Sequence, residues 1–143
     1  MSVRAILDIK GRAVATIAPD ATLAQAARLL AEKKIGALVV AAPANGISGI
    51  ISERDIVRAL AGQRERALAS PVSEFMTRKV VTCTVDDTVT DLMQRMSAGR
   101  FRHVPVIEHG RLAGIVSIGD VVKYRVAEME RESEALRDYI RTA

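Results

Sequence analysis

Aromatic residues make up only 3% of this chain: no tryptophan, two tyrosines and two phenylalanines. A core must therefore be built from Ala, Val, Ile, Leu and Met, and the stacking platforms that bind single-stranded nucleic acid are missing. Cysteine is nearly absent. Cys83 stands alone, which excludes an internal disulfide and any cysteine-based metal cluster. No apolar run approaches the roughly 18 residues of a membrane helix, and the opening MSVRAILDIKGR has no apolar stretch of signal-peptide type. The expectation is a soluble, cytoplasmic protein with no membrane partner. Blocks of like charge are missing too. The net charge of +4 is spread over interspersed acids and bases, a surplus that suits small anions, and nucleic acid is not expected as a partner. Finally, there is no Walker loop, no G-x-G-x-x-G after a strand, no His-paired nucleophile and no metal-spaced His/Cys/Glu cluster. The chain does not read as an enzyme.

What is present is a sequence written twice. Asp20–Ala21–Thr22–Leu23 returns as Asp86–Asp87–Thr88–Val89 at an offset of 66 (86 − 20). The same offset pairs Val14 with Val80, Thr16 with Thr82 and Val40 with Val106. Gly49–Ile50–Ile51–Ser52–Glu53–Arg54–Asp55 returns as Gly114–Ile115–Val116–Ser117–Ile118–Gly119–Asp120 at 65 (114 − 49), and Val3–Ile6–Leu7 is echoed by Val72–Phe75–Met76. Each copy reads β-α-β-β-α. A short strand (Val14–Ile17; Val80–Cys83) precedes an amphipathic helix. Leu23, Ala26, Ala27, Leu30 and Ala31 in one copy, and Val89, Leu92, Met93 and Met96 in the other, follow helical spacing. Thr22 with Gln25 and Thr88 with Asp91 predict capping boxes. Two strands (Ala37–Ala41 and Ile47–Ile51; His103–Ile107 and Leu112–Val116) meet at the turn signals Asn45–Gly46 and His109–Gly110. The predicted division is repeat 1 over 1–62, a linker over 63–71 with a helical turn, repeat 2 over 72–125 and a helical extension over 126–143.

The last helix, running on after Asp120, carries a heptad-like seam at Val122, Val126, Met129, Ser133, Leu136 and Ile140. Packing against a second copy, giving a homodimer, is the predicted use; folding back onto its own domain is the alternative.

The sharpest local signal is GIISERD / GIVSIGD. A strand ends at a Ser that opens a helix, where free amides and the positive end of the helix dipole make an anion site. Ser52 and Ser117 can meet a phosphate oxygen. Asp55 and Asp120, one turn on, can accept from a ribose diol. The same Ser-x-x-Asp is also an ordinary capping pair needing no ligand, and duplication does not decide between the two. Cys83 reads as a small core residue.

Taken together, the β-α-β-β-α repeat, the D-x-T helix start, the RHVPV strand and the G-h-h-S-x-x-D ending resemble the CBS domain, named after cystathionine β-synthase, in a tandem pair or Bateman module. The resemblance implies an α+β fold: two CBS repeats packed with pseudo-twofold symmetry, plus the long C-terminal helix. It implies clefts for an adenosyl ligand (AMP, ADP, ATP, NAD or S-adenosylmethionine), a homodimer, and a regulatory role towards an unidentified protein partner; the alternative is a dimerisation scaffold with no ligand. Carried over residue by residue, Ser52 and Ser117 meet phosphate, and Asp55 and Asp120 the ribose. Thr16, Ile17, Thr82 and Cys83 line adenine pockets, and Arg102 and His103 grip phosphate. The first repeat has Gly36 and Ala37 at that last position, which leaves its phosphate grip to Arg54 and makes the Asp120 cleft the tighter one.

Overall fold

The computed structural model describes residues 2–142. The elements run α1 (Val3–Lys10), β1 (Thr16–Ile17), α2 (Leu23–Lys33), β2 (Ala37–Ala42), β3 (Gly46–Ser52), α3 (Glu53–Gln63), α4 (Arg66–Ala69), α5 (Val89–Gly99), β4 (His103–Glu108), β5 (Arg111–Ser117) and α6 (Ile118–Thr142), with 3-10 turns at Pro43–Asn45 and Val72–Glu74. This is the α+β double repeat with the long last helix that the sequence predicts.

Local chemistry sets the boundaries. Thr22 caps α2 by accepting from the Gln25 amide at 3.2 Å, and Gln25 accepts from the Thr22 amide at 2.9 Å. In the second repeat only half of the box forms. Thr88 accepts from the Asp91 amide at 3.0 Å, while the Asp91 carboxylate turns to Arg95 at 3.3 Å. Helices α2 and α5 stop at Lys34 and Arg100, both left-handed, with φ of 55° and 57°. The β4–β5 hairpin closes on His109 and Gly110, both at positive φ, as a tight two-residue turn requires.

The sheets are not quite copies. In the first, β1 runs parallel to β2, and β2 antiparallel to β3. In the second, β4 and β5 pair antiparallel, but the predicted strand Val80–Cys83 shrinks to one bridge between Cys83 and Val106. Proline is the physical reason. In the first repeat the Val39 amide donates to the Ala15 carbonyl at 3.1 Å. The counterparts 66 positions on (39 + 66, 15 + 66) are Pro105 and Val81. Proline has no N–H to give, so pairing starts only where the Cys83 amide reaches the Pro105 carbonyl at 3.0 Å.

The packing units are offset from the sequence repeats, because each leading segment crosses to the other repeat. Val3 and Arg4 donate to the carbonyls of Asp87 and Val85 at 2.9 and 3.0 Å. Symmetrically, Val72 and Ser73 donate to Ala21 and Pro19 at 2.7 and 3.0 Å. One core accordingly joins Val3, Ile6 and Leu7 to Val89, Leu92, Val104 and Val116. The other joins Ala67 and Val72 to Leu23, Leu30, Leu38 and Ile51. Ala67 sits on α4, so the segment between the repeats is packed into a core.

These crossings explain two glycines. A Cβ on Gly114 would lie 2.8 Å from Leu7 Cδ2, and one on Gly49 would lie 2.6 Å from the Thr77 carbonyl oxygen. The crossing chain, and not a ligand, needs the space. Gly49→Ala is expected to cost about 1–3 kcal/mol, in the range of core overpacking. Gly62→Ala, whose Cβ meets nothing within 4 Å on the exposed part of α3, is expected to be neutral or to gain about 0.5–1 kcal/mol in helix propensity. Urea unfolding of both variants checks this; equal stabilities would refute the crowding at Gly49.

Candidate functional site

Strand β3 delivers Ser52 to the start of α3. Its hydroxyl accepts from the Asp55 amide at 3.3 Å, and the Asp55 carboxylate accepts from the Ser52 amide at 2.9 Å and from its hydroxyl at 3.0 Å. The capping reading is therefore realised. It does not exhaust Asp55, whose other oxygen is 3.4 Å from the Thr77 hydroxyl at the rim of a cavity of about 480 Å³. That volume suits a small molecule.

The cavity lies between the repeats. The first contributes Gly36, Ile50, Ser52, Arg54, Asp55 and Arg58; the crossing segment contributes Thr77, Lys79, Val80 and Val81. From the second come Arg100, Phe101, Arg102, His103 and Ser117. Two sets expected to serve separate clefts thus share one. Arg102 and His103, read from the sequence as the phosphate grip beside Asp120, line the same space as Ser52 and Asp55. Five cations (Arg54, Arg58, Lys79, Arg100 and Arg102) face two carboxylates, Glu53 and Asp55. All five are exposed, and none takes part in the ion pairs found among the described residues.

His103 differs from its neighbours. Burial pushes its pKa below the ordinary 6.5; Lys10 and Arg102 push the same way, against Glu53 and Asp120. The neutral ring is thereby favoured. Its ring stands over Gly36, where a Cβ would come within 3.1 Å of Nε2. It therefore packs the two strand starts together without adding charge.

The remaining sequence-selected residues lie elsewhere. Thr16 is exposed on the edge strand β1, and Ile17 packs on the core of Leu23, Leu30 and Ile51. The Thr82 carbonyl accepts from Arg95 at 3.1 Å. Cys83 is 3% exposed in the core of Val3, Leu7 and Leu92, where burial, with Asp87 adding and Arg95 opposing, pushes its thiol up to about 11; it is an inert core residue at neutral pH. Asp120 does not line the cavity. It accepts from the Ser117 amide at 2.8 Å and from Lys10 Nζ at 2.6 Å. Burial opposes its ionisation, but the bonds from Lys10 and Ser117 prevail and hold its pKa below the ordinary value. Conversely, sequence reading passed over Arg58, Thr77 and Lys79. Arg58 sits one turn beyond Arg54 on the same helix face, a spacing that was legible. The other two follow from the crossing, which was not.

Among the described residues no group of His, Cys, Asp and Glu is arranged to hold a metal ion, and no helix is long and apolar enough to cross a membrane.

Comparison with known proteins agrees with the fold. The CBS domain family model matches twice, over residues 6–62 and 72–127. The crystal structure of a CBS-domain containing protein from Agrobacterium tumefaciens is 51% identical, with a TM-score of 0.85 over 87% of this chain and 99% of that one. A CBS domain protein from Pyrobaculum aerophilum, solved complexed with AMP, is 28% identical, with a TM-score of 0.75 over 84% of this chain and 89% of that one. The CBS domain pair of protein MJ0100, solved in complex with 5′-methylthioadenosine and S-adenosyl-L-methionine, is 27% identical, with a TM-score of 0.79 over 90% and 98%. Among curated relatives, the chain spans 66%, 61% and 22% of the lengths of the first three it matches.

His103 makes stability depend on pH. Its folded pKa is depressed, so below about 6.5 the unfolded chain takes up a proton that the folded one refuses. The contribution is intact above that value and is lost as pH falls from it towards the lower folded value. The melting temperature is expected to fall between pH 7 and pH 5, and His103→Gln to flatten the fall. Parallel profiles for the two proteins would show that His103 is not the group responsible.

Proposed function

The chain belongs to the CBS-domain family, its two repeats forming one tandem pair, and from that premise we propose a regulatory, non-enzymatic module that binds a phosphate-bearing adenosyl ligand between the repeats and reports it to a protein partner. One observation carries this reading: the Ser52–Asp55 helix start and five cations that take no part in the ion pairs among the described residues converge on a single cavity. Asp55, with one oxygen committed to the cap and the other at the rim, is placed to accept from a ribose diol. Val80, Val81 and Ile50 supply apolar wall for a base. Ser52, Ser117 and the ring of Arg54, Arg58, Lys79, Arg100 and Arg102 suit phosphate.

The relatives' ligands divide on this point. AMP, bound by the Pyrobaculum aerophilum protein, brings the negative charge that such a ring favours. S-adenosyl-L-methionine, bound by the MJ0100 pair, brings a sulfonium cation that the ring repels. The cavity therefore favours AMP, ADP, ATP or NAD.

A homodimer is the second part of the proposal. On α6, Val122, Val126, Met129, Leu136 and Ile140 are between 48% and 66% exposed. The helix has 25 residues, about 37 Å at 1.5 Å per residue. Its outer part does not fold back on its own domain, and a second copy would cover an apolar stripe of this kind.

Millimolar AMP or ATP is expected to raise the melting temperature by several degrees, since a hundredfold excess over Kd adds about 2.7 kcal/mol. Arg102→Ala should weaken ATP roughly tenfold to a hundredfold, the value of one or two charge-assisted bonds, and leave adenosine nearly unchanged. No shift with any phosphate-bearing adenosyl ligand would leave only the scaffold reading. For the dimer, truncation after Lys123 should give folded monomers in analytical ultracentrifugation; a truncated protein still dimeric at low micromolar concentration would place the interface elsewhere.

A further inference from the structure

The two repeats diverge most where each is crossed by the other's leading segment. Over the first repeat, the crossing segment leaves helical geometry after the turn Val72–Glu74 and pairs with β3. The Thr77 amide donates to the Ile50 carbonyl at 2.8 Å, and the Ile50 amide to the Thr77 carbonyl at 3.0 Å. The residues that follow, Lys79 to Val81, line the cavity.

Over the second repeat the crossing segment is α1, which stays helical through Lys10 and ends on Gly11 at φ 97°. The Gly11 amide is spent within the helix on the Leu7 carbonyl at 2.7 Å. Ile115, the counterpart of Ile50 at an offset of 65 (115 − 50), gives its carbonyl to Lys10 Nζ at 2.8 Å instead. The same ammonium lies 2.6 Å from the Asp120 carboxylate. Where Asp55 faces a neutral hydroxyl and open space, Asp120 faces a tethered cation. The two side chains are partly covered, 29% and 19% exposed.

We infer that Lys10 is the built-in occupant of the second Ser-x-x-Asp position, so that each chain takes a single adenosyl ligand, at Asp55. The inference rests on the ligand reading above. A ribose hydroxyl competing for Asp120 offers a neutral hydrogen bond, about half as strong as a charge-assisted one. It must also displace a donor that the chain holds at high effective concentration. Displacement also gives up the bond from Lys10 to the Ile115 carbonyl. The asymmetry runs against the sequence expectation, in which the Asp120 cleft was the tighter. Lys10 decides how many ligands the module holds.

Calorimetry with AMP tests this. Wild type should bind one AMP per chain. Asp120→Asn should keep that event, and Asp55→Asn should lose it. Lys10→Met should add a second, weaker event that disappears in the Lys10→Met, Asp120→Asn double variant. Lys10→Gln, which keeps a donor for Ile115 without the charge, serves if Lys10→Met does not fold. Two AMP per wild-type chain, or one AMP per chain in a folded Lys10 variant, would overturn the inference and leave the ligand reading standing. No AMP bound by wild type or by either Lys10 variant would remove both.

Discussion

The exchange of leading segments is the constraint on which the rest depends. A helix start has free amides and carbonyls beside it that something must satisfy. Here the stretches that lead into α2 and α5 accept backbone bonds from the opposite repeat, through Val72 to Ala21 and Val3 to Asp87. The same crossings fill both cores, with Leu7 against Gly114 and Met76 against Gly49. Neither repeat closes its core from its own residues. The cavity is then a by-product: two strand–helix junctions are brought face to face, with His103 standing over Gly36 between them.

Much of this was legible. The 65- and 66-residue offsets carry the whole α+β plan, because helical and strand periods recur in register and the turn residues recur with them. Ser52 and Asp55 were legible as a pair because one short motif specifies both cap and site. What escaped was relational. Nothing in Arg102 or His103 says which helix start they will face, since that depends on how the repeats dock. Nothing in Cys83 separates a pocket wall from a core position, and it is the core that holds it. The short second β-edge was open to inspection in principle, through Pro105, yet a pattern of apolar residues hides the loss of one N–H. Lys10 was invisible as a partner of Asp120 because more than a hundred residues separate them.

Near-identity of motif and difference of environment sit side by side here. Ser52–Asp55 and Ser117–Asp120 make the same capping bonds within a few tenths of an ångström. Their surroundings differ because one crossing segment unwinds at Met76 and the other stays helical to Lys10. Electrostatics follows from that backbone choice: an unwound chain leaves space lined by exposed cations, and a continuous helix places its last cation, Lys10, on a carboxylate.

The missing amide of Pro105 has a mechanical consequence. Chain 77–83 is pegged at one end to Ile50, in the first repeat, and at the other to Pro105 and Ile107, in the second. Between the pegs, among the described residues, one backbone–backbone bond is local, from the Val80 amide to the Arg78 carbonyl at 3.1 Å, and the Thr82 carbonyl accepts from Arg95 at 3.1 Å. This wall of the cavity is therefore a strap anchored at its two ends, one anchor on each repeat. A molecule that touches Lys79, Val80 or Val81 therefore meets a segment bonded to both repeats at once, so the cavity wall belongs to neither repeat alone.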